Sequence, residues 1–436
     1  MLAQPLIRDR PLSVHHAGPL VGAVRVEGAK HSFAHLLAVA GAAETLHVAG
    51  APWQLDARCL TYALSQVFET TVVRPDREEI TFQGVRTRRR VVIPAAVCAA
   101  SRQLYCLLPA LLLRAGTVVL EAPPSGCALG ARPSAWYLDT LRRFGASVEE
   151  TAAGLLLRRG RLRPAEVAFP APSMTGSVIA LALAAFAPGR SRIRNVSEET
   201  SVSDMMECVA AMGIELARGP GGEVDVDGGT PPREARVRVP PDRVQAVTYL
   251  TAGVLAGGRV EVSGRGELRV EPFLALLRSL GLPVHHRADR VVLEAPADPE
   301  PGPVVEVAAG PEPRFPSDWT PFALLALARA GGAGSAIVDT AFGDRFAFVR
   351  RLGGGDGGVL ALEDGGGASV ARVRGRLGAL LGGPVEPPSD IRGAAALALT
   401  GVSARRAVVL SSDLDVQRGY GRFRADLGRL GVREVA

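Results

Sequence analysis

The 436-residue chain is predicted to be an α/β (α+β) protein of two domains, built from six βαβαββ repeats with three in each domain. Three observations predict this. Short strands rich in β-branched residues recur at intervals of roughly 65 to 75 residues, the spacing of a supersecondary repeat. The same series of elements follows each of them. The composition, 47% hydrophobic and 22% charged with 50 Gly and 32 Pro, is that of a folded chain with many turns between short elements.

The recurring strands fall at 24–28, 91–95, 167–171, 237–241 and 304–308, with a weaker sixth near Pro384. An apolar helix comes next, as at 31–43 or 318–330, and then a Gly-led strand such as 116–122, 258–264 or 334–340. A loop leads into an amphipathic helix (134–145, 201–213, 269–281), and a closing pair of strands ends most units. The Gly/Pro cluster over 227–243 marks the boundary between halves. Residues 24–235 are therefore expected to form the first domain, including a loop at 123–133. Residues 1–23 with 236–436 form the second, the N-terminal segment supplying the strands that the sixth unit lacks.

Several classes are disfavoured. The longest apolar stretches, such as 177–187, are too short to span a bilayer, which takes about 20 residues. No basic-then-apolar leader opens the chain, so a cytoplasmic protein without a membrane partner is expected. The five cysteines, at 59, 98, 106, 127 and 208, show no CxxC spacing, so neither a disulfide framework nor a metal site is expected. Four lie in apolar stretches. Cys127 instead sits in the Gly/Pro-rich loop 123–133, where a core role has no obvious purpose and a reactive one fits.

The net charge of +6 suits nucleic acid or small anions. Basic residues number 50, and one of them, Lys30, is the sole lysine, leaving 49 arginines. A chain that uses Arg everywhere else keeps a compact ammonium at position 30, as phosphate and proton-transfer sites require. Arg86 and the run 88–90 read as a solvated linker. With 5% aromatic residues and no basic stripe, nucleic acid is not an expected partner.

The candidate chemistry falls at equivalent places in the repeats. Lys30, Asp318 and Arg392 start a first helix, whereas Cys127, Arg132, Arg345 and Arg418 lie in or just after the loop that opens a second. Helix N-termini present free N–H groups, and Arg adds bidentate recognition of carboxylate and phosphate, so an anion site follows.

These segments carry a resemblance. Gly28-Ala-Lys30-His31, the loop Gly126-Cys127-Ala-Leu-Gly-Ala-Arg132-Pro133, Phe315-Pro-Ser-Asp318, Asp344-Arg345-Phe346, Asp390-Ile-Arg392 and Arg418-Gly-Tyr420 together resemble the enolpyruvyl transferases. The cysteine loop is specific to the UDP-N-acetylglucosamine 1-carboxyvinyltransferase branch. The resemblance implies two inside-out α/β barrels that close on phosphoenolpyruvate and an acceptor hydroxyl, without a cofactor. By the same resemblance Lys30, Arg132 and Arg418 would hold the phosphate, Arg345 and Arg392 the carboxylate, and Arg102 would shape the site. Asp318 would take the acceptor's proton. Cys127 would act as general acid or as a covalent resting adduct, and would be the target of the epoxide fosfomycin.

The acceptor side departs from the pattern. His31 stands where the branch has Asn and the shikimate branch has Ser. The loop-helix segment that would grip uridine reads Arg132-Pro133-Ser134-Ala135, with Ala135 in place of an acidic residue. Gly343-Asp344 replaces a Glu-Asn pair, and the third unit reads Ser173-Met-Thr175-Gly176. The acceptor residues would be His31, Pro133, Ser134, Ala135, Ser173, Thr175, Asp318 and Asp344. The expected acceptor is a uridine nucleotide, UMP-like, as in nucleoside-antibiotic biosynthesis. The alternatives are the peptidoglycan enzyme acting on UDP-N-acetylglucosamine, a non-catalytic anion-binding relative, and an RNA-end cyclase, which would not need the cysteine loop.

Overall fold

The computed structural model describes residues 7–85, 89–130, 134–151, 154–352, 358–378 and 382–435. It is a mixed α/β structure that divides into two compact units. One holds Gly28–Gly126 and Ala131–Val239, and the other holds Ile7–Glu27, Cys127–Gly130 and Pro240–Ala436. Among the described residues the strands form six sheets, three in each unit.

The sheets share one topology. In the first unit, Arg90–Ile93 runs parallel to Thr117–Leu120, which pairs antiparallel with Gly154–Arg158, itself antiparallel to Ser147–Thr151. A parallel pair needs a crossover, supplied by the helix Leu104–Ala115, whereas the antiparallel pair closes by a short turn. The sheet of Glu166–Ala168, Gly189–Arg194, Val224–Gly228 and Glu215–Arg218 repeats the pattern with the helix Met174–Ala184.

Helices that are apolar all round belong in a core, and those with one apolar face belong over it. In the first unit Lys30–Ala40, Leu104–Ala115 and Met174–Ala184 are buried along nearly their whole length and pack on one another. The second unit does the same with Arg243–Ala256, Thr320–Ala330 and Ile391–Leu399. The sheets alternate buried and exposed residues, as in Glu79–Gln83, so one face covers the helices and the other meets solvent. Among the described residues no helix is long and apolar enough to cross a membrane.

The units differ from the expected domains of 24–235 and 1–23 plus 236–436 in which strand goes where. The strand expected at 24–28 to start the first repeat is found at Leu20–Arg25, and it lies parallel to Gly258–Ser263 in the second unit. The strand expected at 237–241 to open the fourth repeat is found at Glu234–Arg238 and pairs instead with Thr45–Ala49 in the first unit. Both strands alternate buried with more exposed residues and both precede an apolar helix, so either fits either sheet locally. In the sixth sheet the N-terminus supplies one strand, Leu12–His15, while the C-terminal Glu434–Val435 supplies the other. Arg90 opens the strand Arg90–Ile93 rather than lying in a linker, Arg89 is an exposed bend just before it, and Arg86 and Arg88 lie outside the described residues.

Candidate active site

In the first unit Lys30 opens the helix Lys30–Ala40. The chain enters it through Gly28, where a Cβ would collide with the carbonyl oxygen of Gly50. The ammonium is buried and lies 3.1 Å from Oδ2 of Asp56, which is also buried in the first turn of Leu55–Ser65. His31 is half-buried and stacks on His35, with ring centroids 6.2 Å apart and planes within 9°. Burial pushes the fully enclosed His35 down to about 4, against the opposing effects of the Ser201 backbone and Asp204, so its ring is neutral. Ser32 donates a 2.5 Å hydrogen bond to Asp204.

Arg102, Ser134 and Thr175 come together in the same unit around the helix Leu104–Ala115. The Arg102 guanidinium lies over the rings of Tyr105, at 5.3 Å, and Tyr137, at 5.8 Å. Tyr105 hydrogen-bonds the side chain of Ser134, and the Cys106 thiol bonds that of Thr175. Ser173 caps the helix Met174–Ala184, its hydroxyl accepting the N–H of Gly176 at 3.2 Å. Ala135 is exposed on the first turn of Ser134–Arg143. Arg132 and Pro133 lie outside the described residues.

The second unit gathers Cys127, Asp318, Arg345, Arg392 and Arg418. Asp318 lies on the short 3-10 turn Ser317–Trp319, just ahead of Thr320–Ala330. Its Oδ1 accepts from Nη2 of Arg345 at 2.9 Å and its Oδ2 from Nε of Arg392 at 3.0 Å. Arg345, only 1% exposed, also donates Nε–H to Ser317 at 3.1 Å and shares Nη1 between both Asp390 oxygens at 3.4 Å. Phe342 covers one face of its guanidinium, 4.7 Å away. Burial alone would lower the pKa of Arg345 and of Arg392. The carboxylates of Asp390 and Asp318 outweigh it at Arg345 and raise that pKa, and Asp318 does the same for Arg392. Both arginines stay charged. Nη1 of Arg392 is buried without a hydrogen-bond partner, and beside it the backbone of Gly419 passes so close that a Cβ would stand 3.0 Å from that nitrogen.

Asp390 caps the helix Ile391–Leu399, accepting the N–H of Gly393 at 2.9 Å. Cys127 sits at the same helix end: its sulfur accepts the N–H of Ile391 at 3.4 Å and an N–H of Arg418 at 3.8 Å. These bonds, with that from the Ala128 N–H to the Ser389 carbonyl at 2.7 Å, place 127–130 in the second unit rather than the first. Two donors on one sulfur favour a thiolate. The other cysteines have the opposite surroundings. Burial pushes the Cys106 thiol up to about 12 and that of Cys208 up to about 11, and raises Cys98, while Cys59 is fully enclosed. Arg418 is itself held by Asp415 at 2.9 Å. Asp344 is exposed, its backbone carbonyl taking the N–H of Ala347.

Sequence reasoning missed Asp56, Asp204, Ser317, Asp390 and Asp415 as partners of these groups. Asp390 had a signal, because an Asp directly before an apolar helical run is a cap. Asp56 had none, since it meets Lys30 only through the packing of two helices.

The arrangement can hold an anion with two acidic ends, and it places a carboxylate and a thiol beside buried cations. Comparison with known proteins agrees in kind. Residues 14–427 match the family model of EPSP synthase (3-phosphoshikimate 1-carboxyvinyltransferase). The chain is 33% identical, over 430 residues, to a UDP-N-acetylglucosamine 1-carboxyvinyltransferase of Anaeromyxobacter sp. (strain K), covering 95% of this chain and 96% of that protein. In fold it is similar to the enolpyruvyl transferase NikO from Streptomyces tendae, with a TM-score of 0.80, 24% identity and coverage of 98% and 99%. It also resembles an EPSP synthase from Acinetobacter baumannii, with a TM-score of 0.69, 17% identity and coverage of 98% and 100%.

Proposed function

Because the chain belongs to the EPSP synthase family of carboxyvinyl transferases, which take the enolpyruvyl group from phosphoenolpyruvate, we propose that its acceptor is a hydroxyl of a uridine nucleotide smaller than a UDP-sugar. The observation that carries this is His31, a half-buried imidazole stacked on His35 beside the buried Lys30. An imidazole fills space that an asparagine would leave for an acetamido sugar. Ala135, exposed at the start of its helix, offers no carboxylate to a uracil or sugar group. A UMP-like acceptor, of the type met in nucleoside-antibiotic biosynthesis, meets both conditions.

The division of labour follows from charge. Lys30, Arg132 and Arg418 bind the phosphate, Arg345 and Arg392 the carboxylate, and Arg102 shapes the site. Ser134, Ser173, Thr175 and Asp344, with Pro133, line the acceptor side. Asp318 takes the proton of the acceptor hydroxyl as its oxygen bonds the central carbon of phosphoenolpyruvate, and the methylene carbon gains a proton to become a methyl group. Loss of a methyl proton and departure of phosphate then restore the double bond, with the fixed cations stabilising the charge that moves. Cys127 supplies the proton to carbon or holds the donor covalently between turnovers. The three sheets of each unit close around its buried helices as an inside-out barrel.

A second reading, peptidoglycan-type transfer to UDP-N-acetylglucosamine, is favoured by the 33% identity to a transferase of that name. Phosphate release from phosphoenolpyruvate, screened against UMP, uridine, UDP-N-acetylglucosamine and shikimate 3-phosphate, separates the two by kcat/KM. A higher value for UDP-N-acetylglucosamine than for every nucleotide lacking the sugar refutes the first reading. Absence of phosphate release with every one of these acceptors refutes both, because the chain would then bind the anion without transferring its enolpyruvyl group.

A further inference from the structure

We infer that the carboxylate of Asp318 is an internal stand-in for the donor's own carboxylate, which must unseat it from Arg345 and Arg392 before Asp318 can serve as a base. The inference rests on the reading above and adds a step of regulation to the same site.

The geometry is that of an occupied carboxylate site. One planar group presents one oxygen to each of two guanidinium groups, at 2.9 and 3.0 Å. That is how two arginines recognise a carboxylate ligand. Four carboxylates act on these cations, those of Asp318, Asp339, Asp390 and Asp242, and the last three are fixed, Asp242 by the N–H groups of Val244 and Gln245 at 2.8 and 3.0 Å. Asp390 is tied to the helix end by the N–H of Gly393. Asp339 is fully buried and accepts from Ser317 at 2.6 Å, from Thr320 at 3.2 Å and from the N–H of Ala341 at 2.8 Å. Asp318 is the outermost, with 26% of its side chain exposed, and it stands on a single 3-10 turn. It is the member of the set with room to swing away.

Exchange of one carboxylate for another leaves the charge beside the buried arginines unchanged, so neither guanidinium is stranded. An incoming carboxylate also meets the buried Nη1 of Arg392, which has no hydrogen-bond partner. What changes is Asp318. While bridged, both of its oxygens face cations, which favour the ionised form and make it a weak base. Once released it loses those partners and holds a proton more readily, when the donor is in place and the acceptor hydroxyl needs one removed. Donor binding thus arms the base.

The consequence is counter-intuitive: removing the base should improve binding of the donor's carboxylate. Calorimetry with phospholactate, which carries the phosphate and carboxylate of phosphoenolpyruvate without the double bond, tests it on wild type, Asp318→Asn and Asp318→Ala. Inorganic phosphate is the control ligand. Charge-assisted hydrogen bonds freed from an internal competitor predict phospholactate binding about 10-fold tighter in both variants. Phosphate affinity should rise by clearly less, because inorganic phosphate gains only the change of field, whereas the phospholactate carboxylate also gains the two vacated guanidinium groups. Phospholactate should also raise the melting temperature of each variant more than that of wild type. Unchanged or weaker phospholactate binding in the variants overturns the inference. An equal gain for phosphate overturns it as well, by showing only a general change of field. The functional reading fails separately, if wild type neither binds phospholactate nor releases phosphate from phosphoenolpyruvate with any acceptor.

Discussion

Lys30→Arg is a conservative exchange by charge, yet it should disable the protein. The Lys30 and Asp56 side chains are 6% and 1% exposed and meet at 3.1 Å. A guanidinium is longer and planar, so it cannot place a point charge where the ammonium sits. Forcing it into a filled site costs about 1–3 kcal/mol. A shift of about 1 Å in a positioned group costs on the order of 10²-fold in rate. The structural and functional parts of the effect can be separated. Lys30→Met strands a buried carboxylate and should lower stability by about 3–5 kcal/mol. Pairing it with Asp56→Leu removes both charges, so stability should return while activity does not. The assays are kcat/KM for phosphoenolpyruvate and thermal unfolding on wild type, the Arg variant, the Met variant and the pair. An Arg variant as active as wild type makes the single lysine an accident of composition. Activity in the charge-free pair shows that Lys30 serves only the packing.

Fosfomycin should add once, at Cys127, because its sulfur has two donors while burial raises Cys98, Cys106 and Cys208; intact mass should show one adduct that Cys127→Ala abolishes, and labelling of Cys98 or Cys208 refutes this. Asp318→Asn should cut turnover by about 10²-fold or more while the fold persists. Near-normal turnover in that variant assigns the proton to another group, with His31 the first to test. His35 titrates near 4 when folded and near 6.5 when unfolded, so below pH 6.5 the unfolded chain takes up the proton first. Stability should therefore fall as pH drops from about 6.5 to about 4, by about 3 kcal/mol from this group. His35→Gln should lose that much less over the same range in denaturant titrations, and an equal loss refutes the assignment.

The alternation of helix and strand is legible because it is written in short range. Apolar runs such as 177–187 can only be core helices or strands, and glycines punctuate them. Strand partnership is written at long range. Nothing in the five residues Glu234–Arg238 says that their neighbour is Thr45–Ala49 rather than a strand of the following repeat. The candidate site divides the same way. Lys30, Arg345 and Arg392 stand in motifs whose spacing survives in one dimension. Their partners Asp56 and Asp318 lie 26 and 27 or 74 positions away and are joined to them only by the packing of separate elements. The side that the cysteine loop takes was equally invisible, because it depends on an N–H at residue 391.

The crossing strands set a timetable for synthesis. Leu20–Arg25 leaves the ribosome early, but its partner Gly258–Ser263 follows 238 residues later, counting from Leu20 to Gly258. At roughly 5–20 residues per second, that strand waits for some 10 to 50 s without its neighbour. Leu12–His15 waits longer still, since Leu12 meets Leu410. The first unit can meanwhile assemble its helices, yet its sheet at Thr45–Ala49 is completed only when Glu234–Arg238 emerges. The nascent chain therefore carries two open sheet positions, one at each end of its first half, and an early strand whose Val21 remains 71% exposed even in the finished protein. Until its partner emerges that N-terminal strand must be shielded, and a gene cut at residue 239 would leave the first unit whole while the second lacked Leu12–His15 and Leu20–Arg25.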